Sequence, residues 1–131
     1  MLHPKQFQVN EAWIAFQLNE VPIETGEDGD FNCIALMDAA SCFILTSELV
    51  PFAEGQPSQL ESRRILKLAA SHKQELPSTL FIANEWPAKS LALEAERQGV
   101  SVVRVPEEQL LLFIGEAREG FKERFGGGTL Q

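Results

Sequence analysis

Residues 34–47 read IALMDAASCFILTS, two apolar runs separated by an aspartate and a few small residues. Both runs are short, rich in Ile, Leu and Phe, and broken only at the centre, the pattern of two strands joined by a tight connection. Asp38 is either the first residue of a hairpin turn or a catalytic carboxylate at a strand end. Aspartate favours the first role, because its short side chain accepts hydrogen bonds from backbone amides just ahead of it. We therefore read FNCIALMD (31–38) and SCFILTS (41–47) as the second and third strands of the fold. Their unbroken apolar character predicts coverage on both faces, or a central place in a sheet.

Upstream, EAWIAFQL (11–18) is a first β-prone run. The stretch NEVPIETGEDGD (19–30) then either continues that strand to Ile23 across a bend or forms a loop. Downstream, ELVPFAEGQPS (48–58) is a turn-rich connector that ends in Ser58, with Glu61 three residues on. That S-x-x-E spacing is a capping box and predicts a helix to about Lys73, with Ile65, Leu68, Ala69 and His72 facing inward. His72 is thereby a core-edge histidine rather than a ligand.

STLFIAN (78–84) is a fourth strand, and a second helix follows with Ala88, Leu91, Ala92 and Ala95 on one face and Gly99 at a left-handed C-terminal cap. VSVVRV (100–105) is a fifth strand. PEEQLLLFIGEAREGFKERF (106–125) closes the chain as a helix facing inward through Leu110, Phe113, Ile114, Ala117 and Phe121. Gly115 and Gly120 each cost up to about 1 kcal/mol in a helix interior, which close packing or a bend would offset. GGGTLQ (126–131) reads as a flexible tail.

The order is β-β-β-α-β-α-β-α. Three strands joined without helices and then alternating units predict an α/β domain with a mixed five-stranded sheet, a three-strand antiparallel meander plus parallel strands, and helices on both faces. At 131 residues the chain is expected to form one domain, with an ordered core over about 11–125.

Composition narrows the function. A net charge of −8 sets a repulsive background for nucleic acid, whose binding draws on lysine and arginine against phosphates, so that class is disfavoured. Arg63, Arg64, Lys67 and Lys73 are the local exception and read as a solvated helix face. No run approaches the roughly 20 apolar residues of a membrane span, and the first ten residues lack a signal-peptide core, so the expected location is cytoplasmic. Cys33 and Cys42 fall roughly 13 Å apart in a hairpin with Met37 near Cys42, too far for a disulfide. They are expected as free, mostly buried thiols. The acid-rich run TGEDGDF (25–31) fails a calcium-loop template, with Gly26 and Ala35 at ligand positions. His3, His72 and the cysteines lack zinc spacing.

With its element order and the phrase IALMDAASCFIL, the stretch 11–125 resembles the ribonuclease H-like superfamily, which includes integrase and transposase catalytic cores. The resemblance implies metal-assisted phosphodiester cleavage, with clustered carboxylates holding two divalent ions about 4 Å apart. The family's first carboxylate aligns near Phe16 or Gln17, and its next aligns with Asn84, beside Glu85. A final acid on the last helix would be Glu116 or Glu119. Without the first two acids the site lacks its charge. The expectation is therefore a degenerate ribonuclease H-like fold with no catalytic residues and no cofactor, acting on a protein partner or as a homodimer. The competing reading is a nuclease or phosphotransfer enzyme using Asp38, Glu85 and Glu116 or Glu119 with Mg or Mn. A third is a small-ligand site at Asn84, Glu85 and Trp86, at the carboxyl edge of the sheet.

Overall fold

The strand-forming runs are largely where the sequence puts them, but the strand read over 41–47 begins at Ile44 and continues to Pro51, into the stretch read as a connector. A computed structural model describes residues 1–24, 26–27, 29–51 and 56–125. The strands are β1 (Ala12–Gln17), β2 (Ile23–Glu24), β3 (Asp30–Asp38), β4 (Ile44–Pro51), β5 (Thr79–Ala83) and β6 (Ser101–Val105). The helices are α1 (Gln59–Lys73), α2 (Lys89–Arg97) and α3 (Leu111–Phe125), with single 3-10 turns at Pro4–Gln6 and Glu107–Leu110. The tail 126–131 lies outside the described residues, as do Thr25 and Asp28 of the acidic run.

β1 is the axis of the sheet. It pairs antiparallel with β3 and parallel with β5, which in turn pairs parallel with β6. β4 lines the other side of β3, and the two-residue β2 continues beside the start of β3. The sheet therefore has six strands rather than five. The extra one answers the open question about residues 19–30: the chain bends after Leu18, Asn19 holds Asn32 and Cys33 of β3 through its side chain, and strand pairing resumes at Ile23 and Glu24.

Alternation along the strands sends side chains to two cores. Trp13, Ile34, Leu36, Leu80 and Ile82 meet Ile65, Leu66, Leu91 and Ala95 under α1 and α2. Ile14, Phe16, Ala35, Met37 and Phe81 meet Leu110, Phe113 and Ile114 of the α3 side. Phe7, from the N-terminal turn, packs edge-on against Phe81 at 5.6 Å between ring centroids. The expected mixed sheet with helices on both faces is present.

Several local expectations are corrected. In the hairpin Met37 pairs with Ile44, not Cys42, and a bulge at Leu36/Met37 leaves Leu45 between the paired residues Ile44 and Thr46. The turn is wider because the Asp38 carboxylate closes it onto Ser41 and Cys42 takes a left-handed conformation (φ 60). β4 is an edge strand, so Ser47 is exposed where the apolar run suggested cover on both faces, and Leu49 just beyond that run is exposed too. α1 faces inward through Ser62, Ile65, Leu66 and Ala69, which keeps Ile65 and Ala69 of the expected stripe but puts Ser62 and Leu66 in place of Leu68 and His72. Leu68 is 41% exposed, and His72 is exposed with its ring edge-on to Phe43. A Cβ on Gly115 or Gly120 would meet nothing within 4 Å, so neither glycine marks a close approach. The Ser58–Glu61 capping box forms reciprocally, and Gly99 is left-handed (φ 91).

Candidate functional site

The parallel pairing of Ala15 with Ile82 and of Ala83 with Val105 brings the ends of β1, β5 and β6 to one edge of the sheet. Residues Ala83–Pro87 turn back on themselves there. The Trp86 amide donates to the Ala83 carbonyl at 3.2 Å, and the Asn84 amide donates to the Val105 carbonyl at 2.7 Å. Arg104, at the end of β6, fixes this turn by donating to the carbonyls of Ala83, Trp86 and Pro87. One cation thus satisfies three carbonyls that the turn leaves without strand partners.

Between this turn and α3 lies a cleft of about 410 Å³, bordered by Gln17, Glu20, Glu85, Trp86, Glu107 and Arg118. Glu85 accepts from the Glu107 amide at 2.9 Å and so caps the start of the 3-10 turn. Arg118 reaches across from α3. Its Nε donates to the Gln17 carbonyl at 3.0 Å, and its NH1 lies 2.6 Å from the Glu107 carboxylate. The guanidinium is permanently charged and its planar fork suits two acceptors at once. Sequence reasoning missed both Arg104 and Arg118, whose partners are fixed only by folding. Trp86 packs against the α1/α2 core, and its indole N–H is buried without an acceptor among the described residues.

The residues proposed for an ion-binding site are not gathered here. Phe16 is buried and Gln17 is partly buried at the strand-one position, while Asn84 and Glu85 are exposed at the end of β5. Asp38 belongs to the opposite edge, because it pairs with Trp13 at the start of β1. Four residues of strand separate Trp13 from Gln17, about 13 Å. Glu116 and Glu119 are exposed on α3, and Glu116 is near enough to Cys42 to raise its pKa. Among the described residues no three His, Cys, Asp or Glu side chains are grouped to hold a metal ion.

Asp38 is wholly occupied by the fold. It is 1% exposed, and its carboxylate accepts from the Asn10 amide (2.7 Å), the Ser41 amide (3.0 Å) and the Ser41 hydroxyl (2.7 Å). Asn10 in turn accepts from the Trp13 indole N–H at 2.8 Å. The basic stretch of α1 is partly neutralised: Arg63 pairs with Glu94 at 3.6 Å and Arg64 with Glu48 at 3.4 Å. Cys33 and Cys42 are free thiols, the first buried and the second partly exposed. Burial is the main cause that pushes both thiol pKa values up.

No protein-family model matches this sequence, and no curated protein matches it. Solved structures do. A chain of the simian T-cell lymphotropic virus intasome, solved in complex with the PP2A regulatory subunit B56 gamma, superposes with a TM-score of 0.60 at 12% identity, over 88% of this chain and 39% of its own. The catalytic core domain of BIV integrase superposes at 0.57 with 11% identity, over 89% and 70%. The HTLV-2 integrase catalytic core domain, solved with magnesium in a dimeric form, superposes at 0.53 with 12% identity, over 83% and 82%. The fold is ribonuclease H-like, of the integrase-core type. At these identities the likeness is one of fold, and this chain spans well under half of the intasome chain. No helix among the described residues is long and apolar enough to cross a membrane.

Proposed function

We propose that this chain is a noncatalytic ribonuclease H-like domain that works by binding another protein. The observation that carries the reading is Arg118. At the sheet edge where the resemblance places a metal-holding carboxylate cluster, a guanidinium ties α3 to the end of β1 and to Glu107. Ion pairing inside the protein takes the place of ion binding, and the strand positions beside it are Phe16, Gln17 and Asn84. The intasome chain of the same fold comes from an assembly that includes a protein regulatory subunit, which agrees with a docking role. Two free thiols agree with a reducing, cytoplasmic setting. A second copy of the chain is one candidate partner, although a net charge of −8 per copy opposes self-association at low salt.

The test is calorimetric titration of the full chain with Mn²⁺ at neutral pH, with a labelled DNA duplex assayed alongside. We expect no binding heat up to about millimolar metal and no cleavage, since hard cations need several oxygen ligands to offset dehydration. Micromolar binding of one or two ions, or metal-dependent cleavage lost in Glu85→Gln, sinks the proposal in favour of the nuclease reading.

A further inference from the structure

Three hollows share walls along one flank of α3. The carboxyl-edge cleft has Asn19, Glu20 and Arg118 in common with a smaller hollow of about 160 Å³ beside Val21 and Lys122. That hollow has Leu18 and Phe121 in common with a third, of about 650 Å³, which reaches Leu49 of the edge strand β4. Together they form one groove between α3 and the segment that leaves β1. Ile114 lines one end and Arg124 the other. The ten-residue rise between them is about 15 Å, which an extended chain covers in about five residues.

The two ends differ in chemistry. At the carboxyl edge, Glu20 and Glu85 are exposed, while Glu107 is already paired with Arg118. At the other end the exposed surface is apolar, with Leu49 43% exposed and Val21, midway, 50% exposed. The cations Lys122 and Arg124 border the middle and far parts, so a basic ligand group is attracted at one end and repelled at the other.

We propose that this groove binds an extended segment of a partner protein, with a lysine or arginine against Glu85 and Glu20, its chain passing Val21, and an apolar side chain about five residues away on Leu49. This rests on the protein-binding reading above and names the surface and the partner's chemistry. The charge gradient along α3 fixes the direction in which the segment lies.

The probe is a display library of random peptides selected on the immobilised full chain, with selected peptides then titrated by fluorescence anisotropy. Expected sequences carry Arg or Lys roughly four to six positions from Leu, Ile or Phe. Binding weakens about tenfold or more in Glu85→Lys and again in Leu49→Glu, and weakens as salt rises from about 50 mM to about 500 mM. Both substitutions are at exposed positions, and Val21→Asp gives a third check if either variant fails to fold. Selected peptides that bind all three variants as tightly as the parent overturn the groove while leaving the protein-binding reading intact. Failure to select any peptide overturns it too. A concentration-dependent dimer that Leu49→Glu converts to monomer assigns the surface to a second copy and overturns the peptide assignment.

Discussion

The guanidinium of Arg118 lies 2.6 Å from the carboxylate of Glu107, joining α3 to the turn that precedes it, while its Nε holds the Gln17 carbonyl at the end of β1. One side chain thus sets how far α3 sits from the sheet edge. Both partners are half-buried, which places the interaction between a screened surface pair and a costly buried one. Arg118→Met, which keeps most of the aliphatic stem, is expected to cost about 1–2 kcal/mol of stability in urea denaturation. An unchanged midpoint would show that the pair contributes nothing net.

Asp38 carries more. Its buried carboxylate closes the hairpin through Ser41 and also holds the Asn10 amide, 28 residues away in sequence. Asp38→Ala strands those donors and is expected to cost about 2–4 kcal/mol, whereas Ser41→Ala costs about 1 kcal/mol. Equal losses in the two variants would mean that the Asn10 bond is not a significant part of the role.

The glycines of α3 point the other way. Because added Cβ atoms would meet open space, Gly115→Ala and Gly120→Ala should each stabilise the domain by about 0.5–1 kcal/mol through helix propensity alone. Thermal melts of the single variants test this, and a loss of stability at Gly120 would reveal a close contact there.

Glu94 stitches α2 to α1. Its pKa is held below the ordinary 4.5, first by the Gln98 side-chain hydrogen bond and then by the charges of Arg97 and Arg63. A carboxylate with a lowered folded-state pKa contributes fully above the unfolded value and loses that contribution as pH falls through the lowered one. Stability should therefore decline below about pH 4.5, and Glu94→Gln should flatten that part of the profile. Identical acid limbs for the two proteins would refute the assignment.

Cys42 is partly exposed, yet burial, Asp38 and Glu116 together push its thiol above the ordinary 9.0. Native protein should show one slowly reacting thiol with DTNB at neutral pH, with a rate that is still rising beyond about pH 9, and two after denaturation. Fast reaction of both thiols in the native state would contradict the buried position of Cys33.

Features with a short range were legible in the chain. The Ser58–Glu61 box, the Asp38 turn and the apolar run of β3 covered on both faces each depend on residues a few positions apart. Half of the inward face of α1 was misjudged, Leu68 and His72 being read in place of Ser62 and Leu66, because Leu66 and Leu68 are equally apolar and only the position of the helix over β4 and α2 decides which is covered. β4 was misjudged because an apolar strand reads the same at an edge as at the centre until its neighbours are known.

The sequence by itself determined the order of the long elements and the strand-then-crossover plan, which follow from local periodicity, and residue identity puts no acid at Phe16, Gln17 or Asn84, the positions that the resemblance singles out. Only the tertiary structure decided what occupies the carboxyl edge instead. Arg118 and Gln17 are 101 residues apart, and no local rule pairs a helix arginine with one particular carbonyl. The parallel register of β1, β5 and β6 brings those distant groups to one edge, and the low-dielectric border of the sheet makes their pairing favourable.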